Sequence, residues 1–382
     1  MKVSEIKSQT ATDLATAALQ DATDHQQQLA LRFTELTEKE QRNLVALLEN
    51  MDAVIHIDEV DVQTLISTNA LPVLIKQIDR QFNNGQVTET LRKISEQHDV
   101  HWHAGRFDFN VTQQPLLYGI LNVSPDSFYD GGQYHDLDSV LKRAEKFVQA
   151  GVPVIEIGGQ TTRPGFTEID AGTEIKRVVP YIKAVKQHFP ELAIAIDTYK
   201  LPVMQAVLDE GVDIINDVNA FTDDETKLKL LRPSTVGLLT MHESRQEEYQ
   251  NLTSSMQNFF KTNLAQLQAA GIDVERIALD EGIGYAKVAD GYQDFTMMRN
   301  INQFLPFKRP IMIAISRKGF GHKLFGLAKE ARLSVTLIAE AYMYLHGGRI
   351  LRVHDIEETQ QLIKLLQTIE SSYWFPDREE TF

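Results

Sequence analysis

The feature that most restricts how this chain can fold is a recurrence of texture. From residue 116 onward, short apolar runs return eight times, each followed by a helical pattern. The runs are LLYGILNV (116–123), VIEIGG (154–159), LAIAIDT (192–198), IINDV (214–218), VGLLTMH (236–242), IALDEG (277–282), IMIAISR (311–317) and ILRVHD (350–355). Between them lie amphipathic stretches such as LDSVLKRAEKFVQAG (137–151) and AGTEIKRVVPYIKAVKQHF (171–189), and IEETQQLIKLLQTIESS (356–372) ends the series. Strands apolar on both faces, alternating with helices, specify a parallel sheet covered by helices. Eight such units over about 257 residues match a closed (β/α)8 TIM barrel, whose usual size is about 250. An open doubly wound sheet would want a glycine fingerprint after its first strand, and NVSPDSFYDGG (122–132) is not one.

The first 105 residues have a different texture. They carry helical patterns, LTEKEQRNLVALLENM (36–51) and TETLRKISEQ (88–97), with short apolar pieces AVIHI (53–57) and LPVLI (71–75). The expectation is a smaller, mainly helical N-terminal extension (1–105) preceding a barrel (106–382), and the extension shows no catalytic spacing. HDVHWH (98–103) holds three histidines; it reads as a solvated connector, with a metal site as the alternative. The chain has 382 residues, and its 43% hydrophobic and 24% charged content is that of a globular protein. Lys and Arg total 38 against 53 Asp and Glu, a formal net charge of −15, which argues against nucleic acid or a membrane surface as partner. There is no cysteine, which excludes disulfides and thiolate chemistry and fits a reducing compartment. The N-terminus lacks the apolar core of a signal peptide, and no apolar run reaches the roughly 20 residues of a membrane span. A cytoplasmic location is expected.

Polar residues stand at the C-terminal end of every expected strand: Asn122, Gly158-Gly159-Gln160, Asp197, Asn216-Asp217, His242, Asp280, Ser316-Arg317-Lys318, and Arg352 with His354. Each alone reads as a turn former or helix cap. Together they would meet at one rim of a barrel, where such folds keep their sites. Arg352 and His354, two apart on a strand, face the same side and form an anion site. Thr162 and Arg163 in TTRPG (161–165) add a bidentate phosphate partner, and SRK (316–318) adds two more cations. A substrate bearing a phosphate or diphosphate fits such a rim. Against these donors stand the acceptors Asp197, Asn216 and Asp280. Buried carboxylates need partners, and a flat heterocycle with adjacent ring N–H and amino groups would supply them.

The ordered segments GILNVSPDSFYDGG, EIGGQTTRPG, IDTYK, IND, LDEGIGYAK, ISRK and RVHD resemble the signature blocks of the dihydropteroate synthase family, over roughly residues 105–372. The resemblance implies a TIM barrel that joins 6-hydroxymethyl-7,8-dihydropterin diphosphate to p-aminobenzoate in folate biosynthesis, releasing pyrophosphate with Mg²⁺. It implies that Asn122 ligates Mg²⁺ and that Thr162, Arg163, Arg352 and His354 hold the diphosphate. Asp197, Asn216 and Asp280 would take the pterin edges, with Lys318 beside the ring. Ser316 and the 282–285 turn would approach p-aminobenzoate, and loops 124–133 and 159–167 would act as lids. The catalytic set implied is Arg163, Lys318, Arg352 and His354. No strong general base is required, because a neutral arylamine is the nucleophile. Glu281, Ala286, Tyr285 and Gln160 depart from the family's usual Pro, Gly, Phe and Glu. Two other functions compete: a methyltetrahydrofolate-dependent methyltransferase, which has no use for TRPG, SRK and RVHD together, and a non-catalytic pterin-binding paralogue. LSVTLIAEAYMYLHGG (333–348) is apolar beyond one helical stripe, so a homodimer is expected, as is typical of the family.

Overall fold

The computed structural model describes residues 1–7, 11–123, 137–160, 167–243, 248–285 and 291–375. The chain divides into two compact units: Met1–Asp99 with Ile363–Phe382, and Val100–Leu362. The C-terminal stretch thus groups with the extension, and residues 100–105 group with the barrel.

In the first unit, β1 (Lys2–Glu5), α1 (Leu14–His25), β2 (Gln28–Thr34), α2 (Glu38–Glu49), β3 (Val54–Asp58), β4 (Asp61–Ser67), α3 (Leu71–Phe82) and α4 (Gly85–Gln97) follow in order. The expected helices are present, and beside them runs a four-stranded antiparallel sheet in the order β1-β2-β4-β3. AVIHI becomes β3, whereas LPVLI opens α3, with Pro72 in the first turn, where the missing N–H costs nothing. A capping box between Thr37 and Glu40 starts α2. Leu29, Leu31 and Phe33 of β2 pack with Leu44, Leu47 and Leu48 of α2, Leu74 and Ile78 of α3, and Leu91 of α4. Tyr373 and Phe375 from the C-terminal stretch pack against this same core.

The second unit begins with a hairpin, β5 (His101–Ala104) and β6 (Phe107–Asn110). Then come β7 (Leu116–Asn122), α5 (Leu137–Gln149), β8 (Val154–Gly158), α6 (Ala171–His188), β9 (Ala193–Asp197), α7 (Leu201–Asp209), β10 (Ile214–Asp217), α8 (Glu225–Leu231) and β11 (Gly237–Met241). They are followed by α9 (Leu252–Ala269), β12 (Ile277–Asp280), α10 (Tyr292–Arg299), β13 (Ile311–Ile313), α11 (Phe320–Phe325), α12 (Leu333–Leu345), β14 (Ile350–Val353) and α13 (Ile356–Glu370). Strands β7 to β14 close into a parallel barrel, with β14 pairing back onto β7. All eight apolar runs are barrel strands.

The barrel interior is filled by Leu116, Tyr118, Val154, Ala193, Ala195, Ile214, Leu239, Ala278, Met312, Ala314 and Ile350. Trp102 and Ala104 of β5 belong to the same cluster. They plug the end where the strands begin: Trp102 Nε1 donates to the Arg276 carbonyl just before β12 (2.9 Å), and a Cβ on Gly237, the first residue of β11, would meet Ala104 Cβ at 2.7 Å. With that end sealed, the opposite rim is the one left for a ligand.

Candidate functional site

Side chains along a strand repeat their direction every second residue. Two residues beyond interior Val154, Ala195, Ile214, Ala278 and Ile350 stand Glu156, Asp197, Asn216, Asp280 and Arg352. The same period carries Ala314 to Ser316. On these strands the interior face therefore changes from apolar to polar in one step, and that step forms the floor of the site. Asn216 is the register partner of Asp197, and Glu156 that of Ala195, so β8, β9 and β10 present their polar groups side by side.

Arg352 organises this floor. Its Nε donates to Glu156 Oε1 (2.9 Å) and Oε2 (3.1 Å), and Nη2 also contacts Oε1. Nη2 further donates to Asp197 Oδ2 (3.2 Å). Although burial opposes its charge, the two carboxylates hold the guanidinium's pKa above the usual arginine range. Burial, then the neighbouring Glu156, pushes the Asp197 carboxyl up, with Arg352 acting against both. Asp197 Oδ1 and Asn216 Oδ1 are buried without a hydrogen-bond partner. Unpaired acceptors of this kind are costly in a resting protein and mark a place for a ligand's donors.

Asp280 ends β12. Its Oδ1 accepts the Gly282 N–H (2.8 Å), and burial raises its pKa while Lys318 opposes the rise. Burial lowers the Lys318 ammonium to about 8, with Asp280 as the main opposing charge. Lys318 Nζ donates to the Ile283 carbonyl and lies 5.3 Å from the centroid of the Tyr285 ring. The turn wraps this side chain closely: Gly284 has φ +94°, and a Cβ there would meet Lys318 Cδ at 2.9 Å. Neighbouring Glu281 is buried, with both carboxylate oxygens unpartnered. Burial, then the neighbouring Asp280, pushes its pKa well above the usual carboxylate range.

His354 follows β14. Its backbone N–H donates to Ser316 Oγ (3.2 Å), and its Nδ1 lies 3.0 Å from the same oxygen. Burial, reinforced by Lys329 and Arg352, lowers the imidazole to about 3. It is therefore a neutral polar group rather than the cation an anion site would first suggest. Of the two cations in SRK only Lys318 faces this floor; Arg317 is buried in a bidentate pair with Asp355 (both 2.8 Å). His242, at the end of β11, lies 3.3 Å from Tyr249 Oη and edge-on to Phe259, and burial lowers it to about 4. Asp217 is taken up by Lys227 (2.7 Å) and the Asn219 N–H (2.8 Å), the turn-forming role open to any aspartate after a strand.

Asn122 ends β7 opposite Gly158 of β8. A Cβ on Gly158 would stand 2.7 Å from Asn122 Oδ1, so glycine there leaves the carboxamide oxygen its space. A hard oxygen ligand so placed suits Mg²⁺. Gln160 accepts from the Ile169 N–H and Lys200 Nζ (both 2.8 Å) and thereby holds the chain on the far side of TTRPG. Thr162 and Arg163, the TTRPG turn, most of the two expected lid segments and Ala286 lie outside the described residues. Glu156 was not singled out from the sequence. The signal was there: a lone carboxylate inside VIEIGG, on the inward parity.

The chain matches the family of pterin binding enzymes over residues 118–354. It is 34% identical over 264 residues to the dihydropteroate synthase of Streptococcus pyogenes, covering 68% of this chain and 98% of that one. To the dihydropteroate synthase of Clostridium beijerinckii it is 33% identical, covering 69% and 98%. Among solved structures, the Yersinia pestis dihydropteroate synthase with a sulfonamide drug complex superposes with TM-score 0.67 at 28% identity, covering 71% of this chain and all of that one. The Burkholderia cenocepacia enzyme complexed with 7,8-dihydropteroate superposes with TM-score 0.63 at 26% identity, covering 72% and 97%. The barrel, its polar floor and these likenesses lead to one conclusion: the chain belongs to the pterin-binding enzyme family and, within it, to the dihydropteroate synthases.

Proposed function

We propose that this protein condenses 6-hydroxymethyl-7,8-dihydropterin diphosphate with p-aminobenzoate, giving 7,8-dihydropteroate and pyrophosphate. The observation that carries this reading is the set of buried acceptors, Asp197, Asn216 and Asp280, held on one floor with two oxygens unpartnered. A pterin offers ring N–H and amino donors to match them. In the reaction the C–O bond between the pterin methylene and the diphosphate breaks, and the electron pair leaves with pyrophosphate. The arylamine nitrogen forms the new C–N bond and gives up one proton. Charge appears on the methylene carbon and on the leaving oxygens, so catalysis rests on electrostatic placement. In this reading Arg352, fixed by Glu156 and Asp197, and Lys318, charged below about pH 8, stand beside the pterin ring and the departing charge. Neutral His354 with Ser316 supplies polar contacts to the diphosphate or the second substrate, and Thr162 and Arg163 complete the anion site. Mg²⁺, when bound, would offset the leaving group's charge, and Asn122 is the residue that would hold it.

We further propose a cytoplasmic homodimer. No helix among the described residues is long and apolar enough to cross a membrane. Ile338, Tyr342 and Leu345 form an exposed stripe along α12 (70%, 40% and 39% exposed), at the spacing of one helical face, which supports self-association. The test of the activity is pyrophosphate release by purified protein. Release that requires both p-aminobenzoate and Mg²⁺ is expected. Pterin diphosphate binding with no dihydropteroate formed, at high concentrations of both, would leave a non-catalytic pterin binder instead.

A further inference from the structure

The hairpin that plugs the barrel has a second face. Residues of β5 alternate: Trp102 and Ala104 point into the barrel core, leaving His101 and His103 on the outer side, both half-exposed. Asp108 of β6 is the cross-strand partner of His103. Its Oδ1 lies 2.9 Å from His101 Nδ1 and 3.5 Å from His103 Nε2, and ligand atoms of the three residues all lie within 4.8 Å of one another. A tetrahedral zinc site with bonds of about 2.0–2.2 Å has ligands separated by about 3.3 Å, so the two shorter separations bracket the required edge. The third, within 4.8 Å, would be closed by rotation of these side chains, none of them buried.

A fourth residue gives the cluster its direction. Glu275 belongs to the short 3-10 turn Val274–Arg276 before β12, and its Oε2 lies 3.3 Å from His103 Nδ1. One imidazole cannot offer both nitrogens to one ion. With Nδ1–H donated to Glu275, Nε2 is left as a lone-pair donor facing Asp108, the arrangement in which a carboxylate orients a metal-bound histidine. Two imidazoles and one carboxylate suit a borderline ion such as Zn²⁺ over Mg²⁺ or Ca²⁺, which prefer oxygen alone.

We infer that His101, His103 and Asp108 form a zinc-binding clamp at the closed end of the barrel, with Glu275 orienting His103. Its place, on the plug and remote from the polar floor, makes it structural: the ion pins β5 to β6, and Glu275 links the ligand His103 to the turn that leads into β12. The test uses full-length protein stripped with chelator and dialysed against Zn²⁺ in excess Mg²⁺, so that oxygen sites elsewhere are filled. One zinc per chain is expected, with a higher thermal midpoint and, for Co²⁺ in its place, visible absorption bands of low-symmetry coordination. His101→Gln should lose that zinc and those bands. Glu275→Gln should keep the stoichiometry and weaken binding by about 10–100-fold. Both variants should retain wild-type pyrophosphate release, which also reports that they fold. Wild-type protein that takes up no more zinc than His101→Gln overturns the clamp, and unchanged affinity in Glu275→Gln overturns the orientation assigned to His103.

Discussion

At the residue scale, the floor holds its charges in opposed pairs, and the pairs set how each side chain answers to substitution and pH. Asp280→Asn keeps the oxygen that accepts from the Gly282 N–H but turns a donor toward the ligand. The fold should persist, because a buried carboxylate raised by burial is itself a cost. Pterin affinity should fall by at least about 100-fold, the loss of one charged hydrogen bond plus an unpaired donor; calorimetry on the purified variant measures it. Lys318 supplies a pH dependence. Burial brings it to about 8 in the unliganded protein, so it is a cation below that pH and neutral above. Binding of pterin diphosphate should weaken as pH rises from 7 through 9. In Lys318→Arg, whose charge persists throughout, the decline should disappear even where affinity is lower. A titration unchanged between the two proteins would remove Lys318 from the binding step.

At the element scale, what the sequence revealed follows from where each segment's apolar residues go. Barrel strands are buried on both faces, so IMIAISR and VGLLTMH stand out against any helix. β4 alternates between buried and open positions in DVQTLIS, β2 does so only in part in QLALRFT because Ala30 is also buried, and both patterns are easily hidden among flanking helical ones. The polar strand ends of the barrel were legible because they interrupt apolar runs. What could not be read was which of them a neighbour already occupies. Arg317 and Lys318 are adjacent in sequence, yet only the fold shows that Asp355 holds the first. The same holds for α12. Its excess of apolar residues was plain, and the structure resolves it into a buried side with Met343 and an exposed stripe with Ile338. Ile338→Glu should therefore shift sedimentation of the micromolar protein toward monomer without lowering the thermal midpoint of the barrel. A wild-type protein that sediments only as monomer would remove that role from the stripe.

At the scale of the whole molecule, the extension is a unit with its own core, to which residues near the C-terminus contribute. Removing residues 1–99 should leave the barrel's floor intact, because all the floor residues lie in the second unit. It should also strip Tyr373 and Phe375 of the apolar cluster they pack against, and the shortened chain should aggregate. Tyr373→Ser with Phe375→Ser in that background should restore a soluble protein that still releases pyrophosphate, as size exclusion and the assay would report. A soluble barrel without substrate binding would instead assign the extension a part in the site. The same packing has a consequence for synthesis on the ribosome. Tyr373 and Phe375 are made more than 270 residues after α4. At about 5–20 residues per second the extension waits roughly 15–55 s for them, and the barrel is synthesised meanwhile. The first unit to emerge is thus the last to be completed.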